Sequence, residues 1–324
     1  MTRGIPALLA LATACLSPAA SVPESWAQTE LRRVGVVANA QDDQLFEVFE
    51  RALASRGWIK GKTVALEYRV TGGNAANIAK ATAELVRLDV DVISAWSAPA
   101  LREAYSATRT IPIVALDLTT DPVAANYIES YSHPGRNITG VFLDAPEFAG
   151  KWLESLKAIV PNLSRVAVVW DPAPGPAHLR AVEAAAGAFG VEAEVREVRK
   201  PEDIDKAFSS LRGRVQAVIL LPSPMLYVNS RHMAELAMQY RLLGMSAFRE
   251  FAKAGGAISY GPHQPEHVER NGMMVASILA GAKPGDLPID RPSKFEFVVN
   301  LKTMKALGFS VPDSVLLRAD EVIR

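Results

Sequence analysis

The stretch LRRVGVVAN, residues 31–39, is an apolar run of the length of a buried strand. Asp42 or Asp43 follows as a candidate N-cap, and an amphipathic helical pattern continues to about Arg56, where Gly57 ends it. This strand and helix predict a first β-α unit. Because the same alternation recurs along the chain, the sequence predicts parallel sheets with right-handed crossover helices.

The alternation falls into two arrays that meet near residues 141–146. The first predicts further strands at 63–70, 90–95 and 111–117, with helices at 74–87 and 99–108. A helix from Pro146 leads to the second array, which opens with RVAVVW (Arg165–Trp170). Later strands are predicted at 192–198, 216–221, 245–248, 257–260 and 295–299, followed by a short helix at 301–307. The fold class is therefore α/β, with two doubly wound parallel-sheet lobes.

Composition limits the function classes. The chain has 324 residues, 49% of them apolar, which suits two α/β lobes with cores of their own. Its 35 basic and 35 acidic residues cancel, so no summed field attracts phosphate backbones or anionic lipids. We therefore expect no nucleic-acid partner, and we expect a monomer.

The N-terminus has the pattern of an export signal. Met1 to Arg3 is basic, residues 5–16 are apolar, and Ser25-Trp26-Ala27 has the small-x-small form that a signal peptidase requires. We expect residues 1–27 to be removed after Ala27, which leaves a soluble periplasmic protein. Lipid anchoring at Cys15 is the weaker alternative, because a larger aliphatic residue usually stands three places before a lipidated cysteine. Without Cys15 the exported chain has no thiol.

Candidate ligand contacts follow from the strand ends. In open parallel sheets, ligands bind beyond the carboxyl ends of the strands, where helix N-termini and loop amides converge. This rule, together with an apolar wall from two aromatic rings, predicts contacts from Asn39, Gln41, Trp96, Ser97, Asp117, Thr119, Thr120, Asp171, Ser223, Phe248, Arg249 and Tyr260.

Three of these residues have alternative structural roles. Trp96 can stack on a planar ligand, or its ring can be buried under the helices. Asp117 can accept hydrogen bonds from a ligand ammonium group, or it can cap a helix that Asp121 and Pro122 also introduce. Arg249 can bind a ligand carboxylate, or it can form an internal ion pair with Glu250 or another neighbour. An Asp and an Arg in these two ligand roles would suit an amino-acid zwitterion.

No sequence motif supports a catalytic function. HQPEH, residues 263–267, has the spacing of a zinc peptidase motif, but Pro262 and Pro265 predict that His263 precedes the helix, leaving two exposed histidines at a helix start. The sequence has no G-x-S-x-G, no P-loop and no G-x-G-x-x-G after the first strand. We therefore expect no enzyme activity, metal or cofactor.

Several segments together carry a family resemblance: ALDLTTDPV (115–123), HPGRNITG (133–140), LSRVAVVWDP (163–172), FREF (248–251), AGGAISYGP (254–262), ILAGAKPGDLPI (278–289), and the closing FEFVVNLKTMKALG and LLRADEVI. Through these segments the chain, from Arg33 to Arg324, resembles the substrate-binding proteins of ABC transporters that have the type I periplasmic fold, in the subfamily that includes binders of tryptophan and other aromatic amino acids. The chain departs from the family pattern at Trp96, where a small residue is usual, and at the longer, more acidic DLTT.

The resemblance implies two lobes joined by a three-strand hinge that includes residues 137–141 and 283–295. It implies an N-terminal lobe of residues 28–143 plus 255–285 and a C-terminal lobe of residues 144–254 plus 286–324. It also implies an ABC permease and an ATPase as partners. The expected function is an exported receptor that captures a small polar or aromatic ligand, such as an amino acid or related carboxylate, in the interlobe cleft. The alternatives are a sensing module for a membrane signalling protein and an exported hydrolase.

Overall fold

The computed structural model describes residue 1 and residues 31–117, 119–142, 146–291 and 293–324. The predicted export signal, its cleavage after Ala27, Cys15 and Leu118 lie outside these residues. Residues Leu31–Arg324 form one compact unit that contains two β-sheets.

The first sheet is entirely parallel and has five strands in the order β2-β1-β3-β4-β5. Its strands and helices alternate along the chain as β1 (Arg32–Ala38), α1 (Asp43–Ala54), β2 (Val64–Val70), α2 (Ala75–Arg87), β3 (Val92–Ala95), α3 (Ala98–Ala107), β4 (Ile113–Asp117) and β5 (Ile138–Phe142). The predicted first array is confirmed, with strand ends shifted by up to two residues.

Polar caps start the first three helices just beyond strand ends. The side chains of Asp42, Asn74 and Ser97 each accept a hydrogen bond from the backbone N–H three residues later. Each cap satisfies an amide that the helix leaves unpaired in its first turn. The same caps direct the starts of α1 and α3 to the carboxyl edge of the sheet.

The second sheet has seven strands in the order β12-β11-β10-β9-β8-β6-β7. Its elements are α4 (Pro146–Ile159), β6 (Arg165–Trp170), α5 (Ala177–Ala188), β7 (Glu192–Glu197), α6 (Glu202–Ser209), β8 (Ala217–Leu220), α7 (Pro224–Val228), α8 (Ser230–Gln239), β9 (Leu243–Ser246), α9 (Arg249–Lys253), β10 (Ile258–Pro262), β11 (Phe295–Asn300), α11 (Leu301–Leu307), α12 (Asp313–Leu316) and β12 (Glu321–Ile323). The pair β10–β11 is antiparallel, and the other pairs are parallel.

Both sheets are covered on both faces. In β1, Val36 packs in one apolar cluster with α1, while the adjacent Val37 packs in another cluster with α2 and α3. In β6, Val168 and Val169 divide in the same way between the α4–α5 side and the α6–α8 side. Double coverage explains why these strands are continuous apolar runs and do not alternate with polar residues.

The chain passes between the sheets three times: after β5, between Pro262 and helix α10 (Gln264–Leu279), and between Asp290 and β11. Helix α10 packs on α1 of the first lobe, where Val268 and Val275 join the α1 cluster. Asp290 is also held by the first sheet, since its N–H donates to Gly140 O at 2.9 Å and its carbonyl accepts from Phe142 N at 3.0 Å.

The pairing corrects the expected lobe boundaries. Residues 255–262 were expected in the first lobe, but Ile258 and Ser259 of β10 pair with β9 of the second sheet. Residues 286–290 were expected in the second lobe, but Ile289 is buried in the first-lobe cluster under α2 and α3. The short strand β12 was not predicted, because three half-buried residues after a turn give a weak pattern.

Candidate functional site

A cleft lies where the carboxyl ends of both sheets face each other. Its cavity volume is about 90 Å³. The lining residues follow β1, β3, β4, β6, β8 and β9, or belong to α1, α7 and α10: Ala38, Asn39, Ala40, Asp42, Leu45, Trp96, Ser97, Ala98, Pro99, Leu116, Thr119, Pro174, Pro222, Ser223, Pro224, Tyr227, Phe248, Gln264 and Val268.

Aromatic rings form much of the apolar wall. Trp96 lines the cleft with only 8% of its surface exposed, and its ring lies 5.7 Å from those of both Phe46 and Phe49. From the other lobe, the rings of Tyr227 and Phe248 meet edge to face at 5.0 Å. The Trp96 ring is therefore buried under helix α1, and the residue also lines the cleft. Stacking on a ligand stays a prediction.

A buried chain of hydrogen bonds fixes the Trp96 ring. Its indole Nε1 donates to Ser94 Oγ at 2.8 Å, and Ser94 Oγ donates to Asn271 Oδ1 at 2.6 Å. Asn271 Nδ2 in turn donates to the carbonyls of Val114 and Ala115 in β4, at 3.3 and 3.2 Å. The ring is thus positioned through helix α10, and the arrangement costs no unpaired polar group along this chain.

Asp42 is the one charged side chain among the described residues that line the cleft. One of its carboxylate oxygens accepts from Leu45 N at 3.0 Å as the cap of α1. Tyr227 and Glu250 approach it from the second lobe. Burial, followed by the carboxylates of Glu250 and Asp42, raises the pKa of the Tyr227 hydroxyl, and burial together with Asp42 also raises the pKa of Glu250. This corner of the cleft is electronegative and favours a cationic group.

Near this acidic corner lies a part of the cleft that favours an anionic group. Ser97 caps α3, so the positive end of this ten-residue helix opens into the cleft beside Ala98 and Pro99. The hydroxyls of Thr119 and Ser223 also belong to lining residues, but Thr119 Oγ1 donates to Asp117 Oδ1 at 2.9 Å and the Ser223 hydroxyl is hydrogen-bonded to Asp171. The start of α3 is therefore the group that can accommodate an anionic or carbonyl oxygen.

The structure brings half of the predicted contact residues into the cleft. They are Asn39, Trp96, Ser97, Thr119, Ser223 and Phe248. Asn39 also donates through Nδ2 to the carbonyl of Trp96 at 3.1 Å, which joins two neighbouring strand ends. The strand-end rule therefore locates the cleft correctly.

Asp117 and its neighbour Thr120 do not line the cleft. Asp117 is fully buried, and its Oδ1 accepts from Thr119 N, Thr119 Oγ1 and Thr120 N at 2.8 to 3.2 Å. Burial raises the pKa of this carboxyl. Asp117 closes the turn after β4 and caps no helix, because the segment from Asp121 is a turn and not the expected helix.

Arg249 is held away from the cleft by two carboxylates of its own lobe. Its Nη1 lies 2.9 Å from Glu296 Oε1, and its Nη2 lies 2.9 Å from Glu321 Oε2. The internal ion pair is therefore the observed alternative, although its partners are not Glu250. Arg249 is not among the residues that line the cleft.

Gln41, Asp171 and Tyr260 also lie outside the cleft. Gln41 is exposed and donates to Asp43 Oδ1 at 2.6 Å. Asp171 accepts from Ala173 N at 2.9 Å and borders a separate small gap between the lobes. Tyr260 packs in the second-lobe core, with its ring 6.2 Å from Phe295 and stacked on it. A position after a strand therefore does not by itself place a side chain in the cleft.

Several lining residues escape the strand-end rule. Asp42 was recognised only as a helix cap, and Tyr227 lies one turn into α7. Gln264 and Val268 reach the cleft from α10, whose return to the first lobe no local pattern reveals. The capping position of Asp42, four residues beyond β1, is a signal that places it at the same edge as Asn39.

The HQPEH segment does not form a metal site. His263 precedes α10 as its N-cap, as Pro265 predicts, and Glu266 is paired with Arg270 at 2.6 Å. His267 is fully buried, so the expectation that it is exposed is wrong. Within the described ranges, no three His, Cys, Asp or Glu side chains are arranged to hold a metal ion.

Across residues 31–117, 119–142, 146–291 and 293–324, no helix combines the length and the apolar character needed to cross a bilayer.

The two-lobed fold with its cleft is that of the type I periplasmic binding proteins. The model of the family described as ABC transporter substrate binding protein matches residues 34–323, and the chain belongs to this family.

Relatives and solved structures agree with this assignment. The tyrosine-binding protein of Clostridioides difficile (strain R20291) is 24% identical over 285 residues, which are 86% of this chain and 79% of that protein. The ABC domain in complex with L-Trp from Streptococcus pneumonia has a TM-score of 0.83 at 24% identity, covering 90% of this chain and all of that one. A ligand-free, open substrate-binding protein with adhesive properties from Clostridium difficile has a TM-score of 0.63 at 20% identity, covering 91% and 99%. At these identities, the structures establish the fold.

Proposed function

We propose that this chain is the exported receptor of an ABC importer and that it captures an amino acid with an aromatic side chain, which it delivers unaltered to a membrane permease. The observation that carries the proposal is the composition of the cleft. One corner is acidic through Asp42, one wall is aromatic through Trp96, and one edge carries the capped start of α3.

The three features match the three parts of such a ligand. An α-ammonium group is attracted to the Asp42 carboxylate by a charge-assisted hydrogen bond. A carboxylate suits the positive start of α3, which opens into the cleft. A planar side chain suits the surface formed by Trp96, Tyr227 and Phe248, because offset and edge-to-face ring contacts are favourable.

This assignment keeps the zwitterionic ligand that the sequence suggests and changes the residues that bind it. Asp42 replaces Asp117, and the start of α3 replaces Arg249, whose guanidinium is already paired. The names of the tyrosine-binding relative and the L-Trp complex support an aromatic amino acid in particular.

The three chain crossings supply a hinge for the capture step. A ligand in the cleft touches both lobes, so it binds the closed arrangement more strongly than the open one. This difference in affinity is what shifts a two-state equilibrium toward closure. The closed form is then the species that the permease recognises.

A thermal-shift screen tests the proposed ligand class. L-Tryptophan, L-tyrosine, L-phenylalanine, L-leucine, tryptamine and indole-3-propionate are compared at equal concentration. A true ligand at about 100 times its Kd stabilises the folded state by about 2.7 kcal/mol and raises the melting temperature. We expect the aromatic amino acids to give the largest shifts, whereas no shift with any of the six would contradict the proposal. Uptake of the identified ligand by cells with and without the gene tests delivery.

A further inference from the structure

The turn between β2 and α2 carries two adjacent glycines in the left-handed region. Gly72 has φ +64° and Gly73 has φ +68°. Thr71 ties this turn to the end of β1, since its N–H and its Oγ1 both donate to Ala38 O, at 3.0 and 3.1 Å. The turn is therefore a fixed part of the first lobe.

Gly73 touches the second lobe, and Gly72 does not. A Cβ on Gly73 would lie 2.6 Å from the carbonyl carbon and oxygen of Pro224 and 2.8 Å from Met225 N. These are backbone atoms in the first turn of α7, so they cannot move aside as a flexible side chain does. A Cβ on Gly72 would meet nothing within 4 Å.

The contact is made at the rim and not inside the cleft. Gly73 does not line the cleft, but it borders a gap of about 30 Å³ whose other walls include Arg102, Asp171 and Pro224. Arg102 Nη1 also crosses this gap between the lobes and donates to Ala173 O at 3.1 Å. The two lobes therefore have a contact surface of their own beside the cleft.

We propose that Gly73 is a closure-determining residue, whose lack of a side chain lets the 71–74 turn seat on the first turn of α7. Gly73 and Pro224 belong to different lobes, so rotation about the hinge that opens the cleft separates them. A side chain at position 73 penalises the closed arrangement and changes no side chain that lines the cleft. The inference rests on the proposed function, because affinity depends on closure only if a ligand binds between the lobes.

The matched pair Gly73→Ala and Gly72→Ala tests the proposal. Both substitutions place alanine at nearly the same positive φ, so the backbone strain is equal, and only the first meets α7. Titration calorimetry with L-tryptophan and L-tyrosine gives the Kd of each variant. We expect Gly73→Ala to bind about tenfold or more weakly than Gly72→Ala. Equal affinities of the two variants overturn the proposal.

A distance measurement separates this proposal from the proposed function. Spin labels are placed on cysteines that replace Lys80 of α2 and Arg231 of α8, both exposed and on different lobes, in a chain with Cys15→Ser. We expect Gly73→Ala to lose short distances relative to Gly72→Ala. If the wild type binds neither amino acid, the proposed ligand class is wrong. The distance distributions then still test whether Gly73 determines closure. Identical distributions for the two variants overturn the role of Gly73.

Discussion

The indole Nε1 of Trp96 donates a hydrogen bond to Ser94 Oγ, two residues earlier in the chain, at 2.8 Å. Ser94 Oγ in turn donates to Asn271 at 2.6 Å, so the ring that lines the cleft is coupled to helix α10. Next to Asn271, Arg270 Nη1 donates to both carboxylate oxygens of Asp290, at 2.8 and 2.7 Å, in the third crossing between the lobes. One side of the ligand cleft and one strand of the hinge are therefore supported by the same turn of α10.

Removing the hydroxyl of Ser94 is expected to destabilise the fold. Ser94→Ala leaves the indole N–H of Trp96 and the Oδ1 of Asn271 buried without their partner, at a cost of about 1–3 kcal/mol. Urea unfolding measures this change. Ser259→Ala is the matched control, because Ser259 is equally buried and its Oγ has no hydrogen-bond partner. We expect the control to be neutral or slightly stabilising, and equal losses in both variants would contradict this reasoning.

Neutralising Asp42 is expected to weaken amino-acid binding. Asp42→Asn keeps a good N-cap for α1 and removes the negative charge, so the Kd for L-tryptophan rises by about tenfold or more while stability changes little. Asp43→Asn is the control, because Asp43 is the exposed neighbour and does not line the cleft. Indole-3-propionate, which lacks the amine, is expected to bind wild type and Asp42→Asn with more similar affinities. The same tenfold loss for both ligands would argue against an ammonium contact.

Arg249 is expected to matter for stability and not for affinity. Arg249→Ala leaves Glu296, whose side chain is only 13% exposed, without its partner. Because these ion pairs are partly solvated, we expect a loss of about 1–3 kcal/mol in chemical denaturation. The control Arg318→Ala breaks a pair with Glu154 that is about two-fifths exposed on each side, and should cost less. A large rise in Kd for Arg249→Ala at unchanged stability would restore a ligand contact.

The buried His267 predicts loss of stability in acid. Burial lowers its pKa to about 4, whereas an unfolded histidine takes up its proton near 6.5. Between pH 6.5 and 4 the unfolded state therefore binds more protons than the folded state, so the free energy of unfolding decreases as the pH is lowered. Neutral His267 costs no stability above pH 6.5, and below it the free energy of unfolding drops by up to about 1.4 kcal/mol per pH unit as the pH approaches 4.

The measurement is the free energy of unfolding against pH for wild type and His267→Gln. The difference between the two curves isolates His267 from Asp117 and Glu250, whose raised pKa values act in the opposite direction. His133→Gln, at an exposed position, controls for the loss of an imidazole. We expect only His267→Gln to flatten the acid limb, and parallel curves would exclude His267 as its source.

How far the sequence predicts this structure depends on the range of each interaction. The strands and helix caps depend on neighbours a few residues apart, and β6 and α11 were predicted to the residue. Arg249 shows the opposite case, because its partner Glu321 lies 72 residues later and no local pattern joins them. Asp117 is an intermediate case: a local capping role was predicted, but the carboxylate is buried and closes a turn with Thr119 and Thr120 where a helix was expected.

The helix α10 and the strand β11 have a consequence for how the molecule can be made. Helix α10 completes the first lobe but is encoded after most of the second, and β11 completes the second lobe only after the chain has visited the first again. Neither half can be cut out as an uninterrupted fragment with its full core. During synthesis, about nine-tenths of the polypeptide must therefore emerge before either half can finish folding, so the growing chain exposes unfinished apolar surface for most of that time.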